Sequence, residues 1–280
     1  MRRRLVFYLA GLLLVAGLTH CGGARRATPI TIKGSDTMVI LGQRWAEAYM
    51  AAHPGTVIQV TGGGSGTGVA ALINGTTDIA QSSRSMKDEE KAQIQAKSGQ
   101  PPVEILVARD GLAVYVHESS PVREFSLGQL RDLYTGKITN WKQVGGPDAS
   151  ITLYGRENNS GTYVYFKEHV LDEADFAAAV QTLPGTAAVV NAVAQDPRGI
   201  GYGGAAYAKG VKEVAIKADD AGPAVLPTLE NVNSGAYPIS RGLFYYVRKA
   251  PEGPIEDFID WVLSPEGQKL VTEVGYFPAR

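Results

Sequence analysis

Ile30-Thr31-Ile32-Lys33-Gly34-Ser35-Asp36-Thr37 is a short apolar strand pattern that runs into a cluster of glycine, hydroxyl and carboxylate side chains. Beyond it, residues 38–52 carry Leu41, Trp45, Ala48 and Tyr49 on one stripe and end at His53-Pro54-Gly55, which predicts an amphipathic helix with a sharp stop. The same succession recurs twice. An apolar run at 57–60 leads into Gly62-Gly63-Gly64-Ser65-Gly66-Thr67-Gly68, and one at 151–154 leads into Arg156-Glu157-Asn158-Asn159-Ser160-Gly161-Thr162. Further strands are predicted at 79–80, 103–108, 112–116, 200–202, 214–216 and 243–247. Two closing helices are predicted over 254–263 and 265–274, the second with Ser264 as N-cap and Pro265 at its first position. Strand and helix patterns that alternate along the whole chain define an α/β protein.

The N-terminus has a different character. Arg2, Arg3 and Arg4 precede an apolar run over 5–18, shorter than the roughly 20 residues a membrane span needs, and the only cysteine, Cys21, follows it. A cleaved export signal over 1–20 is expected. Leu18-Thr19-His20-Cys21 is similar to a lipoprotein processing box, so acylation of Cys21 and a short lipidated tether over 21–28 are expected, with plain secretion as the alternative. The 260 residues from Cys21 onward suffice for two domains. They carry 24 basic and 28 acidic side chains, a formal charge of −4, with no long run of either sign, so nucleic acid is not an expected partner. His53, His117 and His169 are scattered and have no cysteine neighbours. Neither a metal site nor a cofactor is expected.

The chemistry gathers where each strand gives way to a helix through a small, hydroxyl-rich cluster. A helix N-terminus offers unpaired backbone N–H groups and the positive end of the macrodipole, and serine and threonine add neutral donors. Each cluster alone is also what N-capping and tight turns require. Three in one exported chain point to an oxyanion. Arg156, four residues before Ser160, is the one cation the sequence places among them, and a guanidinium can bind an oxyanion through two N–H groups.

Catalytic motifs fit less well. Gly64-Ser65-Gly66 is not part of a G-x-S-x-G elbow, because Thr67 stands where the last glycine belongs, and no histidine is placed as a base. A secreted serine-dependent hydrolase acting through Ser65 or Ser160 therefore ranks as a distant alternative, and the chain is read as a non-enzyme. Gly66-Thr67-Gly68-Val69-Ala70-Ala71 matches a degenerate dinucleotide fingerprint, which is unspecific at this length, and no phosphate loop of nucleotide hydrolases is present.

Several strings, taken with the three clusters, resemble the substrate-binding protein of bacterial phosphate ABC transporters. They are Gly34 through Thr37, Gly64 through Gly68, Ala80-Gln81-Ser82-Ser83-Arg84, Arg156 through Thr162, and the long string Leu127-Gly128-Gln129-Leu130-Arg131-Asp132-Leu133-Tyr134-Thr135-Gly136-Lys137-Ile138-Thr139-Asn140-Trp141. The resemblance implies a two-lobed periplasmic binding protein of type II, two α/β domains joined by two crossover strands near 107–112 and 240–243. Lobe one would hold 29–108 and 242–280, lobe two 109–241, with the ligand in the interlobe cleft. It implies ligand-binding roles for Ser35, Asp36, Thr37, Ser65, Ser83, Arg156, Ser160, Gly161 and Thr162. It also implies a monomer in the periplasm or at the cell surface, held to the membrane by its lipid anchor, that captures inorganic phosphate and delivers it to ABC transporter permease subunits.

One departure bears on specificity. The resemblance implies an aspartate where this chain has Ser83 and another near Asn158. Phosphate at neutral pH carries a proton that a carboxylate can accept, whereas sulfate has none to give. Asp36 and Glu157 are the nearby carboxylates, Arg84 is a nearby charge, and molybdate, tungstate or sulfate stand as alternative ligands.

Overall fold

The computed structural model describes residues 29–279, so the leader, Cys21 and the tether lie outside the described residues. The chain begins with β1 (Ile30–Gly34), α1 (Val39–Ala52), β2 (Ile58–Thr61), α2 (Ser65–Asn74), β3 (Ile79–Ser82), α3 (Asp88–Ser98) and β4 (Val103–Val116). The middle comprises β5 (Glu124–Ser126), α4 (Leu127–Tyr134), β6 (Thr152–Arg156), α5 (Gly161–His169), β7 (Gln181–Leu183), α6 (Thr186–Gln195), β8 (Gly199–Gly204), β9 (Lys212–Lys217) and α7 (Leu229–Asn233). It closes with β10 (Ser240–Val247), α8 (Pro254–Leu263), α9 (Pro265–Val274) and β11 (Phe277–Pro278).

Two hydrophobic cores divide this material. One joins Ile32, Leu41, Trp45 and Ile79 to Leu243, Phe258 and Tyr276, drawing on both ends of the chain. The other joins Leu112, Leu130, Tyr134, Trp141, Phe166 and Tyr202 from the middle. We call these the first and second lobes. In the first, β2, β1 and β3 run parallel and β10 closes antiparallel on β3. In the second, β6 is parallel to β7 and to β8, and β8 and β9 pair antiparallel with β4.

β4 belongs to both lobes. Its early residues pair with β10, in a register that sets Val103 opposite Val247 and Gly111 opposite Ser240, and its late residues, Leu112 to Val116, pair with β8. The sequence suggests two strands here, broken at Asp110-Gly111. The strand is continuous because Asp110 is buried against Arg241, its partner on β10, and because a Cβ at Gly111 would press within 2.5 Å of Pro227 Cβ. The paired β4 and β10 form the connection between lobes.

The long family-specific string turns out to be scaffold. Ser126 caps α4 by accepting from the Gln129 N–H, Leu130, Leu133 and Tyr134 face the core, and the Trp141 indole N–H donates to the Arg198 carbonyl at 2.9 Å. Ser264 caps α9 as its sequence predicts, accepting from the Gly267 N–H.

One carboxyl of the second lobe is destabilising. Glu213 on β9 has a buried Oε1 without a hydrogen-bond partner among the described residues, and burial, reinforced by Asp110, pushes its pKa up to about 7. Because the folded-state value is raised, the protonated form suits the fold. The cost is absent below its ordinary value of 4.5, builds as pH rises from there to about 7, and is fully present above that. Glu213→Gln should therefore leave the melting midpoint unchanged at pH 4.5. At pH 8 it should raise the midpoint by about 2–4 °C, the shift from roughly 1 kcal/mol after discounting for partial exposure. Scanning calorimetry at both pH values checks this.

Candidate functional site

The three clusters meet where the lobes face each other. Strand β1 delivers Ser35, Asp36 and Thr37, the first turn of α2 delivers Ser65, the end of β3 delivers Ser83, and β6 with the N-terminus of α5 delivers Arg156, Ser160, Gly161 and Thr162. All but Asp36 are buried, the polar side chains to 2% exposure or less. Concentrating so many polar groups out of water is costly unless each has a partner.

The partners are largely one another. Ser35 Oγ donates to Ser83 Oγ at 2.9 Å, the Ser83 N–H donates to Ser65 Oγ at 3.1 Å, and the Ser65 and Ser83 hydroxyls lie 3.4 Å apart. Across the cleft the Thr37 and Thr162 hydroxyls are 2.9 Å apart. Ser160 caps α5, accepting from the N–H groups of Thr162 and Tyr163. Gly161 is obligatory in this closed arrangement. A Cβ there would overlap Ser65 Oγ and reach within 2.9 Å of Ser65 Cβ and Ser83 Oγ.

Arg156 is fixed from both lobes. Nη2 donates to Asp36 Oδ2 at 2.7 Å and Nη1 to Thr186 Oγ1 at 2.8 Å, while Nε has no partner among the described residues. Burial lowers its pKa from the ordinary value, and the Asp36 carboxylate opposes that drop. Asp36 is not a helix cap. Its Oδ1 accepts from the Gly63 N–H at 2.7 Å and its Oδ2 holds Arg156, so this carboxylate of the first lobe anchors the cation of the second. The Tyr207 hydroxyl secures the Asp36 carbonyl at 2.7 Å.

The glycine run of the second cluster has a different purpose from the one its sequence suggests. Gly63 and Gly64 have φ of 110° and 88°, and a Cβ at Gly64 would come within 2.6 Å of the Asn159 carbonyl oxygen. That carbonyl accepts from the Gly66 N–H at 2.9 Å, and the Asn159 side-chain amide donates to the Gly63 carbonyl at 3.1 Å. Small residues here let the two lobes touch backbone to backbone. Arg84 is also placed differently from expectation. It is spent on Glu90, with Nη1–Oε2 at 2.9 Å and Nη2–Oε1 at 2.7 Å, outside the cluster.

Residues that sequence reasoning passed over complete the site. Arg241 on β10 donates to the Thr162 hydroxyl at 3.1 Å, so Arg156 is not the only cation there. Asp110, Thr186, Tyr207 and Asn159 each hold a cluster residue or its neighbour. The predicted strands 103–108, 112–116 and 243–247 leave both Asp110 and Arg241 outside. The signal of a charge inside an apolar strand, which needs a buried partner, appears only once β4 and β10 are seen to run through them. The histidines have other surroundings: His53 stacks on Tyr49, His169 stacks on Tyr165, and His117 contacts Ser119.

Two α/β lobes on paired crossing strands, closed over buried hydroxyls and guanidinium groups at helix N-termini, define a periplasmic-type binding protein for a small anion. Comparison with known proteins gives the particular family. The PBP superfamily domain matches residues 21–266. The phosphate-binding protein PstS of Pseudomonas aeruginosa is 37% identical over 262 residues, covering 88% of this chain and 81% of that protein. PstS of Bacillus subtilis is 35% identical over 258 residues, covering 92% and 83%. A solved structure from Clostridium perfringens, described as a phosphate ABC transporter substrate-binding protein with bound phosphate, is 31% identical with a TM-score of 0.82. It covers 90% of this chain and 100% of that one. The chain belongs to this family of phosphate ABC transporter substrate-binding proteins, whose members are transport components rather than enzymes.

Proposed function

We propose that this chain is an extracytoplasmic binding protein that captures inorganic phosphate between its lobes and delivers it to the permease subunits of an ABC importer. The observation that carries the proposal is the convergence of Ser35, Ser65, Ser83, Arg156, Ser160 and Thr162, drawn from both lobes, around one buried and closed junction. In this reading the hydroxyls and the α2 and α5 N-termini donate to phosphate oxygens, Gly161 admits them closely, and Arg156 supplies charge. Thr37 and Asp36 complete the ring. Each Asp36 oxygen accepts one hydrogen bond and keeps a further lone pair, so Asp36 is the carboxylate acceptor for the phosphate proton, a charge that the neutral Ser83 hydroxyl does not supply.

The lobes divide at 108/109 and 241/242, the leader over 1–20 is removed, and Cys21 carries the acyl anchor on the tether over 21–28. The protein is a monomer of the periplasm or cell surface that turns nothing over. Calorimetric titration of the ligand-stripped soluble chain tests the ligand. Tight binding of phosphate that excess sulfate does not displace is expected. A preference for sulfate, molybdate or tungstate would replace the named ligand, and no heat with any of the four would remove the oxyanion site altogether.

A further inference from the structure

Asp110 and Arg241 face each other in register across β4 and β10, where both strands pass between the lobes. Their side chains are 0% and 2% exposed, and Arg241 Nε and Nη2 both donate to Asp110 Oδ2, at 3.0 and 2.8 Å. A buried ion pair alone says little, because apolar side chains often stabilise such a place equally well. Arg241 does more than pair. Nη2 also donates to Thr162 Oγ1 at 3.1 Å and lies 3.5 Å from Thr37 Oγ1. Thr37 belongs to the first lobe, Thr162 to the second, and Arg241 to the connection between them. Helix α5 rests on the same point through Tyr165, whose hydroxyl donates to the Ser240 carbonyl at 2.8 Å and whose ring centroid is 5.5 Å from the Arg241 Cζ. The junction is complete only when the lobes are closed.

Counting hydrogens shows what the arginine imposes. The two threonine oxygens, 2.9 Å apart, have two hydroxyl hydrogens between them, and one is used in their mutual bond. Arg241 brings only N–H groups, so neither hydroxyl can donate to it. Whichever threonine donates to the other, one hydroxyl hydrogen has no acceptor assigned to it among the described residues and is available to a bound anion.

Building on the phosphate reading above, we propose that Arg241 is a positioning residue for anion capture. Anchored by Asp110 on the hinge, it holds the Thr37–Thr162 pair from behind, leaves one hydroxyl hydrogen for the bound phosphate, and ties that contact to lobe closure. The test is a double-mutant cycle read by calorimetric phosphate titration, with the phosphate-free melting midpoint measured for every protein. Arg241→Lys keeps a cation for Asp110 but lacks the fork that serves Asp110 and Thr162 together. It should bind phosphate roughly 10- to 100-fold more weakly, about 1.4–2.8 kcal/mol, without a matching loss of phosphate-free stability. Thr162→Val should cost clearly less on top of Arg241→Lys than it does alone, because the link between them is already gone. If Arg241→Lys fails to fold, Asp110→Asn/Arg241→Gln leaves no lone buried charge and is expected to show the same loss. Wild-type affinity in the variant, additive effects, or an affinity loss that only tracks lost stability would overturn the proposal. A wild-type chain that binds no phosphate would instead remove the phosphate reading itself.

Discussion

Arg156→Ala should weaken phosphate binding by about 30- to 4,000-fold, the range that corresponds to roughly 2–5 kcal/mol for truncating one member of a buried, hydrogen-bonded charge pair. Arg156 is 2% exposed and is gripped by Thr186 of its own lobe and, in the closed arrangement, by Asp36 of the other, so closure fixes its position against the anion. Its loss acts twice. The anion loses a guanidinium, and the Asp36 carboxylate, freed of its cation, is left to repel it. Asp36 is 21% exposed and can rehydrate, so the phosphate-free chain should still fold. Arg156→Lys should recover only part of the loss, since one ammonium cannot bind Asp36 and the anion with the geometry of the planar fork. Calorimetric titration of both variants beside wild type provides the check, and affinity within threefold of wild type for Arg156→Ala would show that Arg156 does not touch the ligand.

Gly161→Ala should be as damaging to binding while sparing the fold. Alanine is a better helix former than glycine by about 1 kcal/mol, and Gly161 opens α5 inside the second lobe, so the lobe itself has no reason to suffer. The conflict lies across the cleft. The new Cβ overlaps Ser65 Oγ and stands 2.9 Å from Ser83 Oγ, both on the first lobe and both walled in. Relief comes from holding the lobes apart. If only about 1% of the variant reaches the closed arrangement, apparent affinity falls roughly 100-fold, because only the competent fraction binds tightly. The melting midpoint without phosphate should be unchanged or slightly higher. In small-angle scattering, phosphate should contract wild type and leave Gly161→Ala expanded.

How much of this could be read from the sequence depended on whether a feature was local. The three strand-to-helix clusters, Arg156, and the α9 start at Ser264-Pro265 were legible because a strand, a small polar turn and a helix lie within a dozen residues of one another. Short strands such as Glu124–Ser126 and Gln181–Leu183 were not, since three residues carry no periodicity. The Asp110–Arg241 pair spans 131 residues, and in isolation Asp110-Gly111 reads as a break and Arg241 as a surface charge. Only tertiary pairing makes the first a strand interior and the second part of the site. The purpose of Gly64 and Gly66 was hidden for the same reason, because the atom they make room for, the Asn159 carbonyl oxygen, comes from the opposite lobe.

The central claim is that phosphate sits where the clusters of the two lobes meet, and a crystal structure of the chain with bound phosphate tests it most directly. Phosphate oxygens within hydrogen-bonding distance of Ser35, Ser65, Ser83, Arg156 and the Ser160–Thr162 turn, with the lobes closed as described, is the predicted result. Phosphate bound away from Arg156, or contacting one lobe only while these hydroxyls keep to one another, would contradict the account.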